Sequence, residues 1–197
     1  MDIIMATGNK NKVKEIREML AGTDMNVISM KEAGINADII EDGTSFEENA
    51  VIKAETISKI AGSIVIADDS GLEIDYLNGE PGIYSARYMG EDTSYDIKNA
   101  ELIRRLDGVP DEKRTARFVC AMAIAYPDRK TSVFRGEFEG IIAREPAGTN
   151  GFGYDPILYL PERGCTSAEL NPEEKNAISH RGKALKMAVE ELKTNLK

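Results

Sequence analysis

The chain has 197 residues, of which 42% are hydrophobic and 30% charged, and its formal net charge at pH 7 is −9. This length and composition predict one globular domain or two small lobes that share a core, and they exclude a disordered or fibrous chain. The excess of acidic groups argues against nucleic acid or an anionic membrane as a partner, because both carry negative charge. It still allows a small anionic ligand in a local basic pocket.

The first half of the sequence alternates predicted strands with predicted helices. Strands are expected at residues 3–6, 26–30, 64–67 and 72–76, and helices at 9–20, 45–61 and 93–106. Two long strands, 116–125 and 131–142, are expected to form an antiparallel hairpin, followed by a glycine-rich loop at 148–156. Helices are then expected from Asn171 and from Ser179, the last one ending near Leu196. This order predicts an α/β fold with a mixed sheet.

The sequence also predicts the compartment of the protein. No apolar segment approaches the roughly 18 residues needed to cross a bilayer, and the first residues lack the pattern of a secretory leader. Cys120 lies in an apolar run and reads as a small buried residue. Cys165 follows a glycine in a polar stretch, so neither cysteine suggests a disulfide framework. We therefore expect a cytoplasmic protein.

Two of the predicted helices begin with basic residues, although a helix amino terminus carries a partial positive charge. Lys10, Lys12 and Lys14 crowd the start of the first helix, and Ser179-His-Arg-Gly-Lys183 opens the last one. Each such cation costs roughly a few tenths of a kcal/mol unless an anion compensates it. Either start alone is compatible with an ordinary solvated turn, but the two together favour a polyanionic ligand.

Lys53 lies on an apolar arc of the second predicted helix, together with Phe46, Ala50, Ile57 and Ile60. A lysine that points inward must extend back to solvent or meet an anion. A phosphate of a ligand and a structural ion pair with an acidic side chain are both consistent with this position.

Asp68 and Asp69 follow the most apolar short strand, at the kind of strand end where α/β sheets bind ligands. Because successive strand residues point to opposite faces, we expect the two carboxylates to have different roles. Carboxylates in this position suit Mg²⁺, with Glu41 or Asp42 as a second ligand. The alternative is a turn in which the aspartates are local hydrogen-bond acceptors.

The segment 149–156 places Phe152 and Tyr154 beside glycines, with Asp155 next to them. Such a segment offers a stacking surface, backbone donors and one acceptor to a flat base. It does not match the G-x-G-x-x-G pattern of dinucleotide-binding folds. A turn with two packed aromatic side chains is the alternative interpretation.

Six segments of this sequence, in this order, resemble the Ham1 family of inosine triphosphate pyrophosphatases. They are TGNKNK (7–12), SFEENAVIKA (45–54), ADDSGL (67–72), PGIYSAR (81–87), FGYD (152–155) and SHR (179–181). The resemblance implies hydrolysis of non-standard purine nucleoside triphosphates (XTP, ITP and dITP) to the monophosphate and pyrophosphate, with Mg²⁺, in a homodimer. It also implies one domain over residues 1–197, with an elongated mixed sheet and two α/β lobes that flank an active-site cleft.

The resemblance further implies the roles of individual residues. Asp69 corresponds to the general base and a metal ligand, and Glu41 to a second metal-binding carboxylate. The implied substrate contacts are Thr7, Gly8, Asn9, Lys10, Asn11, Lys12, Lys53, Ser70, Phe152, Gly153, Tyr154, Asp155, Lys175, His180 and Arg181.

Two other functions are compatible with parts of this pattern. A non-catalytic nucleotide sensor would need the basic residues but not Asp69 together with Glu41. A pyrophosphatase for modified pyrimidine nucleotides is disfavoured by the Phe152 segment and by His180 and Arg181.

Overall fold

The computed structural model describes residues 2–195 of the chain. The helices in this part are α1 (Lys10–Leu20), α2 (Phe46–Ala61), α3 (Tyr95–Arg105), α4 (Pro172–Ile178) and α5 (His180–Asn195). The strands are β1 (Asp2–Met5), β2 (Asn26–Ser29), β3 (Val65–Ile74), β4 (Thr115–Ala125), β5 (Ser132–Ile142), β6 (Leu158–Leu160) and β7 (Cys165–Thr166). The predicted α/β class is confirmed, and the predicted helix end near Leu196 lies outside the described residues.

The described strands form one seven-stranded sheet in the order β2-β1-β3-β4-β5-β6-β7. β1 pairs in parallel with both β2 and β3. β6 pairs in antiparallel orientation with β5 and β7. The sheet is therefore mixed, as predicted, and the two strands missing from the prediction are the short β6 and β7.

The strand β3 corrects one expectation from the sequence. Residues 64–67 and 72–76 were expected as separate strands, with a turn as the alternative interpretation for Asp68 and Asp69, but β3 runs without a break from Val65 to Ile74. Its neighbour β1 ends at Met5, which is opposite Ile66, so β3 continues beyond the end of β1. Asp68 and Asp69 therefore lie within a strand, and the turn interpretation is wrong for both.

The local signals for α2 correspond to its observed ends. The Ser45 side chain accepts a hydrogen bond from the backbone of Glu48, and Gly62 ends the helix with a φ of 61°, in the left-handed region that favours glycine. The helix buries Lys53 among apolar neighbours, as its position predicts, whereas Ile60 of the predicted apolar arc is 56% exposed. The buried face thus turns away from Ile60 toward Asn49 and Lys53.

The chain falls into two compact units. Unit 1 comprises the residues up to 69, 120–136 and those from 181 onward, and unit 2 comprises 70–119 and 137–180. The core of unit 1 is built from β1, α1, α5 and the second half of β4. The core of unit 2 is built from the second half of β3, α3 and the strands β5 and β6. The expectation of one domain over 1–197 stays a prediction. In the part described, every helix is too short or too polar to cross a membrane.

Candidate active site

Asp68, on one face of β3, lies at the centre of a buried ionic group that we call the Asp68 cluster: Asp68, Lys12, Glu15 and Arg181. Its Oδ2 is 3.2 Å from Lys12 Nζ, 3.2 Å from Arg181 Nε and 3.1 Å from Arg181 Nη2. Arg181 Nη1 also donates to Glu15. Lys12 is in the first turn of α1 and Arg181 in the first turn of α5. The two basic helix starts therefore meet an anion of the protein itself.

This environment fixes the charge of Asp68. Burial by itself raises the pKa of a carboxyl group, but Lys12 and Arg181 together hold the pKa of Asp68 well below its usual range. Cys120 Sγ lies 3.9 Å from the same oxygen, and burial raises the pKa of its thiol to about 12. Cys120 is thus a buried thiol, as predicted, and Asp68 is an ionised partner for two cations.

Asp69 points to the other face of β3 and belongs to a second group, the Asp69 cluster: Asp69, Glu41, Asn49 and Lys53. Lys53 Nζ lies 2.8 Å from Asp69 Oδ1 and 2.8 Å from Glu41 Oε2. Asn49, one helical turn before Lys53 on α2, donates to Asp69 Oδ2 at 3.4 Å. Lys53 therefore forms a structural ion pair, which was one of the two alternatives, and its contact with substrate stays a prediction.

The carboxylates of the Asp69 cluster remain partly accessible to solvent. The side chain of Asp69 is 12% exposed and that of Glu41 is 33% exposed. Burial raises the pKa of Asp69 above its ordinary value, although Lys53 opposes this effect. Burial lowers the pKa of Lys53, but Asp69 and Asp68 overcome that effect and raise it. The result is a fixed ammonium beside a carboxylate with a raised proton affinity, which is the character of a general base.

The donor set of the Asp69 cluster fits a hard divalent cation. Glu41 and Asp69 direct carboxylate oxygens to the same point, where the Lys53 ammonium lies. Mg²⁺ is commonly bound through one or two carboxylates together with water and substrate phosphates. Within residues 2–195, no group of three or more His, Cys, Asp or Glu side chains is arranged as a metal-binding cluster. Further ligands for Mg²⁺ would thus come from water or substrate.

The segment 7–12 turns tightly between β1 and α1. Asn9 caps the helix, because its Oδ1 accepts hydrogen bonds from the backbones of Asn11 at 2.9 Å and Lys12 at 3.3 Å. Thr7 Oγ1 accepts from the Asn9 backbone at 3.1 Å. The exposed members of the segment are Gly8, Asn9, Lys10 and Asn11. Asn9 is thus the N-cap of α1, and the phosphate contacts of this segment stay a prediction.

In unit 2, Asp155 lies at the centre of a third group, the Asp155 cluster: Asp155, Phe152, Ser167 and Lys175. Its Oδ2 accepts from the Phe152 backbone at 2.8 Å and from Lys175 Nζ at 2.7 Å, and its Oδ1 accepts from Ser167 Oγ at 2.7 Å. Lys175 Nζ is also 5.3 Å from the centroid of the Phe152 ring.

The aromatic residues of this segment differ in their surroundings. Phe152 is half-buried, whereas Tyr154 is buried, and its hydroxyl donates to the Ser85 carbonyl at 2.7 Å. Gly153 accepts a hydrogen bond from Asn99 of α3 at 3.2 Å. Of these two aromatic side chains, Phe152 is therefore the one that is partly exposed to solvent.

Two further predicted site residues lie in unit 2. His180 is buried and stacks on Phe118, with ring centroids 5.0 Å apart and an angle of 28° between the ring planes. Ser70 is half-buried within β3, directly after Asp69. Their contacts with substrate stay predictions.

The sequence prediction missed three polar residues of these clusters. Asn49 could have been found, because it lies four residues before Lys53 on the same face of α2. Glu15 and Ser167 carry no comparable signal, since their partners lie 166 and 12 residues away.

The chain is similar to known proteins over nearly its whole length. The sequence model of the Ham1 family matches residues 3–191. The dITP/XTP pyrophosphatase of Bacillus licheniformis is 53% identical over 186 residues, 94% of each chain. That of Geobacillus kaustophilus is 54% identical over 185 residues, 93% of this chain and 90% of its own.

Solved structures give the same result for the fold. The Ham1 protein of Staphylococcus aureus has a TM-score of 0.89 at 42% identity, with 99% of this chain and 100% of that chain covered. A HAM1 protein of Coxiella burnetii also has a TM-score of 0.89, at 41% identity, with 98% and 99% covered. The resemblance and the fold expected from it are confirmed.

Proposed function

The chain belongs to the Ham1 family, and on that premise we propose that it hydrolyses dITP and XTP, together with ITP, to the nucleoside monophosphate and pyrophosphate. Two relatives that are more than half identical over nearly their whole length are dITP/XTP pyrophosphatases. In the structure, the observation that carries the proposal is the Asp69 cluster. It combines a carboxylate of raised pKa, a fixed ammonium and a second carboxylate that is partly open to solvent.

The proposed reaction uses this arrangement in one displacement. Asp69 accepts a proton from a water molecule while the water oxygen bonds to the α-phosphorus of the substrate. The bond from that phosphorus to the bridging oxygen breaks, and pyrophosphate leaves. The Lys53 ammonium, held in place by two carboxylates, stabilises the negative charge that develops on the phosphate oxygens.

The proposed cofactor is Mg²⁺, with Glu41 and Asp69 as its protein ligands. When bound, it supplies charge neutralisation on the phosphate oxygens and helps to orient them. The donor chemistry of the two carboxylates supports this choice, as does the convergence of their oxygens on one ammonium group.

Base selection is proposed to depend on the Phe152 segment, Lys175, His180 and Arg181. Hypoxanthine and xanthine present a 6-keto acceptor where adenine presents an amino donor. A buried donor that pairs with the keto oxygen is left unpaired by adenine, and such a mismatch gives strong discrimination. The remaining substrate contacts implied by the family resemblance, from Thr7 to Lys12 and at Ser70, belong to the same proposal.

The proposed setting is a cytoplasmic homodimer that acts on free nucleotides. The net charge of −9 supports a small substrate over a polymer, because an acidic surface repels a continuous phosphate backbone. Lys53 and Arg181 are buried and the side chain of Lys12 is only 13% exposed, so these basic groups do not form a polymer-binding face.

A panel of nucleoside triphosphates with Mg²⁺ tests this function, if pyrophosphate and orthophosphate are assayed separately. We expect one pyrophosphate per monophosphate from dITP, XTP and ITP, and much slower turnover of dATP. Orthophosphate without pyrophosphate would mean cleavage at the γ-phosphorus and would refute the proposed reaction. Binding of dITP without turnover would instead support the nucleotide sensor.

A further inference from the structure

We propose that Asp155 is a positioning residue, whose buried carboxylate holds the Phe152 backbone and the Lys175 ammonium so that the Phe152 ring, and not Asp155 itself, meets the nucleotide. The inference rests on the proposed function, since it takes Phe152 and Lys175 as parts of the nucleotide site. It reassigns Asp155, which the family resemblance places among the substrate contacts.

The hydrogen bonds of Asp155 come from three separate segments of unit 2. Oδ2 accepts from the Phe152 backbone at 2.8 Å and from Lys175 Nζ at 2.7 Å, while Oδ1 accepts from Ser167 Oγ at 2.7 Å. Asp155 is 2% exposed and Ser167 is fully buried. Hydrogen bonds to an ionised carboxylate are strong, so three donors hold this group in one orientation. Both oxygens are already engaged within the protein.

The main chain also closes over the carboxylate. Gly151 has a φ of +72°, and a Cβ at this position would overlap Asp155 Oδ2 and lie 2.9 Å from its Cγ and 3.1 Å from Lys175 Nζ. Glycine is required here both by the backbone conformation and by the close approach. The loop is thus packed directly against the ion pair, and the approach of a nucleotide to Asp155 from this side is blocked by backbone.

The carboxylate places the ammonium beside the aromatic ring. Lys175 Nζ is held 2.7 Å from Asp155 and 5.3 Å from the centroid of the Phe152 ring, within the range of a cation–π contact. Phe152 is half-buried while Asp155 is not accessible. Lys175 is itself only 4% exposed. Phe152 is therefore the member of the cluster with accessible surface, and Asp155 sets the distance between its ring and the ammonium.

Steady-state kinetics of dITP hydrolysis test this role first. In Asp155→Asn, the negative charge that pairs with the Lys175 ammonium is lost and an amide N–H₂ replaces one of the two acceptor oxygens, so the loop and the ammonium are held less firmly. We expect KM to rise at least about tenfold while kcat changes less than about threefold. Ser167→Ala removes a donor that cannot reach a nucleotide, and we expect its KM to rise about two- to fivefold.

Asp111→Asn is the matched control. Asp111 also lies in unit 2 and pairs with Arg144 at 2.6 Å, but both side chains are mostly exposed. The same chemical change there should leave KM and kcat at the wild-type values.

A double-mutant cycle separates positioning from direct contact. If Asp155 acts through Lys175, the KM of Asp155→Asn combined with Lys175→Met should exceed that of the worse single variant by no more than about twofold. The inference would be overturned if the KM increases of the two single variants multiply in the double variant while Ser167→Ala keeps the wild-type KM. Asp155 would then have its own contact with substrate.

Hydrogen exchange of the Phe152 amide gives a readout that needs no catalysis. We expect slow exchange in the wild type and in Asp111→Asn, and clearly faster exchange in Asp155→Asn. Unchanged exchange in Asp155→Asn would contradict the positioning role. If this variant does not fold, Ser167→Ala takes its place, and a wild-type exchange rate and KM would contradict the role in the same way.

Failure of the proposed function can be told apart from failure of this inference. Wild-type protein that releases no pyrophosphate from dITP or XTP would refute the proposed function, whereas the exchange rate of the Phe152 amide would still decide the inference.

Discussion

Asp68 and Asp69 are adjacent residues of the same type, yet the two faces of β3 give them different chemistry. Asp68 is completely buried between Lys12 and Arg181, which hold its pKa well below the usual range. Asp69 is partly accessible, shares the single cation Lys53 with Glu41, and has a raised pKa. Because strand geometry sends successive side chains to opposite faces, one carboxylate pairs with the starts of α1 and α5 while its neighbour lies in the proposed reaction site.

The largest effect on stability is expected for Asp68→Asn. The substitution preserves the shape of the side chain but removes the anion beside Lys12 of α1 and the buried Arg181 of α5, of which Arg181 keeps its pair with Glu15. Removing one partner of a buried ion pair costs about 3–5 kcal/mol, and we expect the free energy of unfolding in urea to fall by that amount. A loss below about 1 kcal/mol would show that the Asp68 cluster is not structural.

The pH dependence of the unfolding free energy of Asp68→Asn tests the contrast between Asp68 and Asp69. The pKa of Asp68 is lowered in the folded protein, so its ionised form contributes stability above the unfolded value of about 3.9. That contribution is complete at pH 7 and is lost as pH falls through the folded pKa. We therefore expect the difference in unfolding free energy between wild type and Asp68→Asn to narrow below about pH 4. A difference that stays constant to pH 3 would contradict the ionised state of Asp68.

In the Asp69 cluster, on the other face of β3, Glu41→Gln is expected to weaken metal binding. The variant keeps the contact of Lys53 with Asp69 but removes one charged oxygen ligand. We expect the Mg²⁺ concentration for half-maximal pyrophosphate release to rise at least about tenfold. Glu18→Gln, at an exposed carboxylate of α1, is the control and should leave this concentration unchanged. A Glu41→Gln variant with the wild-type Mg²⁺ requirement would remove Glu41 from the proposed metal site.

The smallest effect is expected for Lys14→Ala. Lys14 is 73% exposed and lies 3.7 Å from Glu18, in contrast to Lys12 two residues earlier, whose side chain is 13% exposed. Exposed pairs of this kind contribute little, so the unfolding free energy should change by less than about 0.5 kcal/mol. A larger loss would show that basic residues stabilise the start of α1 without a buried anion.

The same contrast shows what could be predicted from the sequence. The ends of α2 follow from local chemistry at Ser45 and Gly62, and strand alternation correctly predicted that Asp68 and Asp69 have different surroundings, whereas their roles stay predictions. The inward position of Lys53 was also readable from helical spacing. These features depend on neighbours a few residues apart.

The structure of the Asp68 cluster could not be predicted in this way. Its carboxylate is 113 residues away from Arg181 in sequence, so the anion that compensates the basic helix starts is visible only in the folded chain. The continuity of β3 also depends on contacts between residues far apart in sequence. Pairing with other strands overrides the local turn preference of the Asp-Asp-Ser-Gly segment. The polyanionic ligand predicted from the helix starts stays a proposal, since Asp68 already compensates part of their charge.

The measurement that tests the central claim most directly is pyrophosphate release from dITP by Asp69→Asn at saturating Mg²⁺. Loss of a general base at this position is expected to lower kcat at least about a hundredfold. The unfolding free energy should stay within about 1 kcal/mol of wild type, since Lys53 retains its contact with Glu41. Near-wild-type pyrophosphate release from the folded variant would contradict the assignment of the reaction to Asp69.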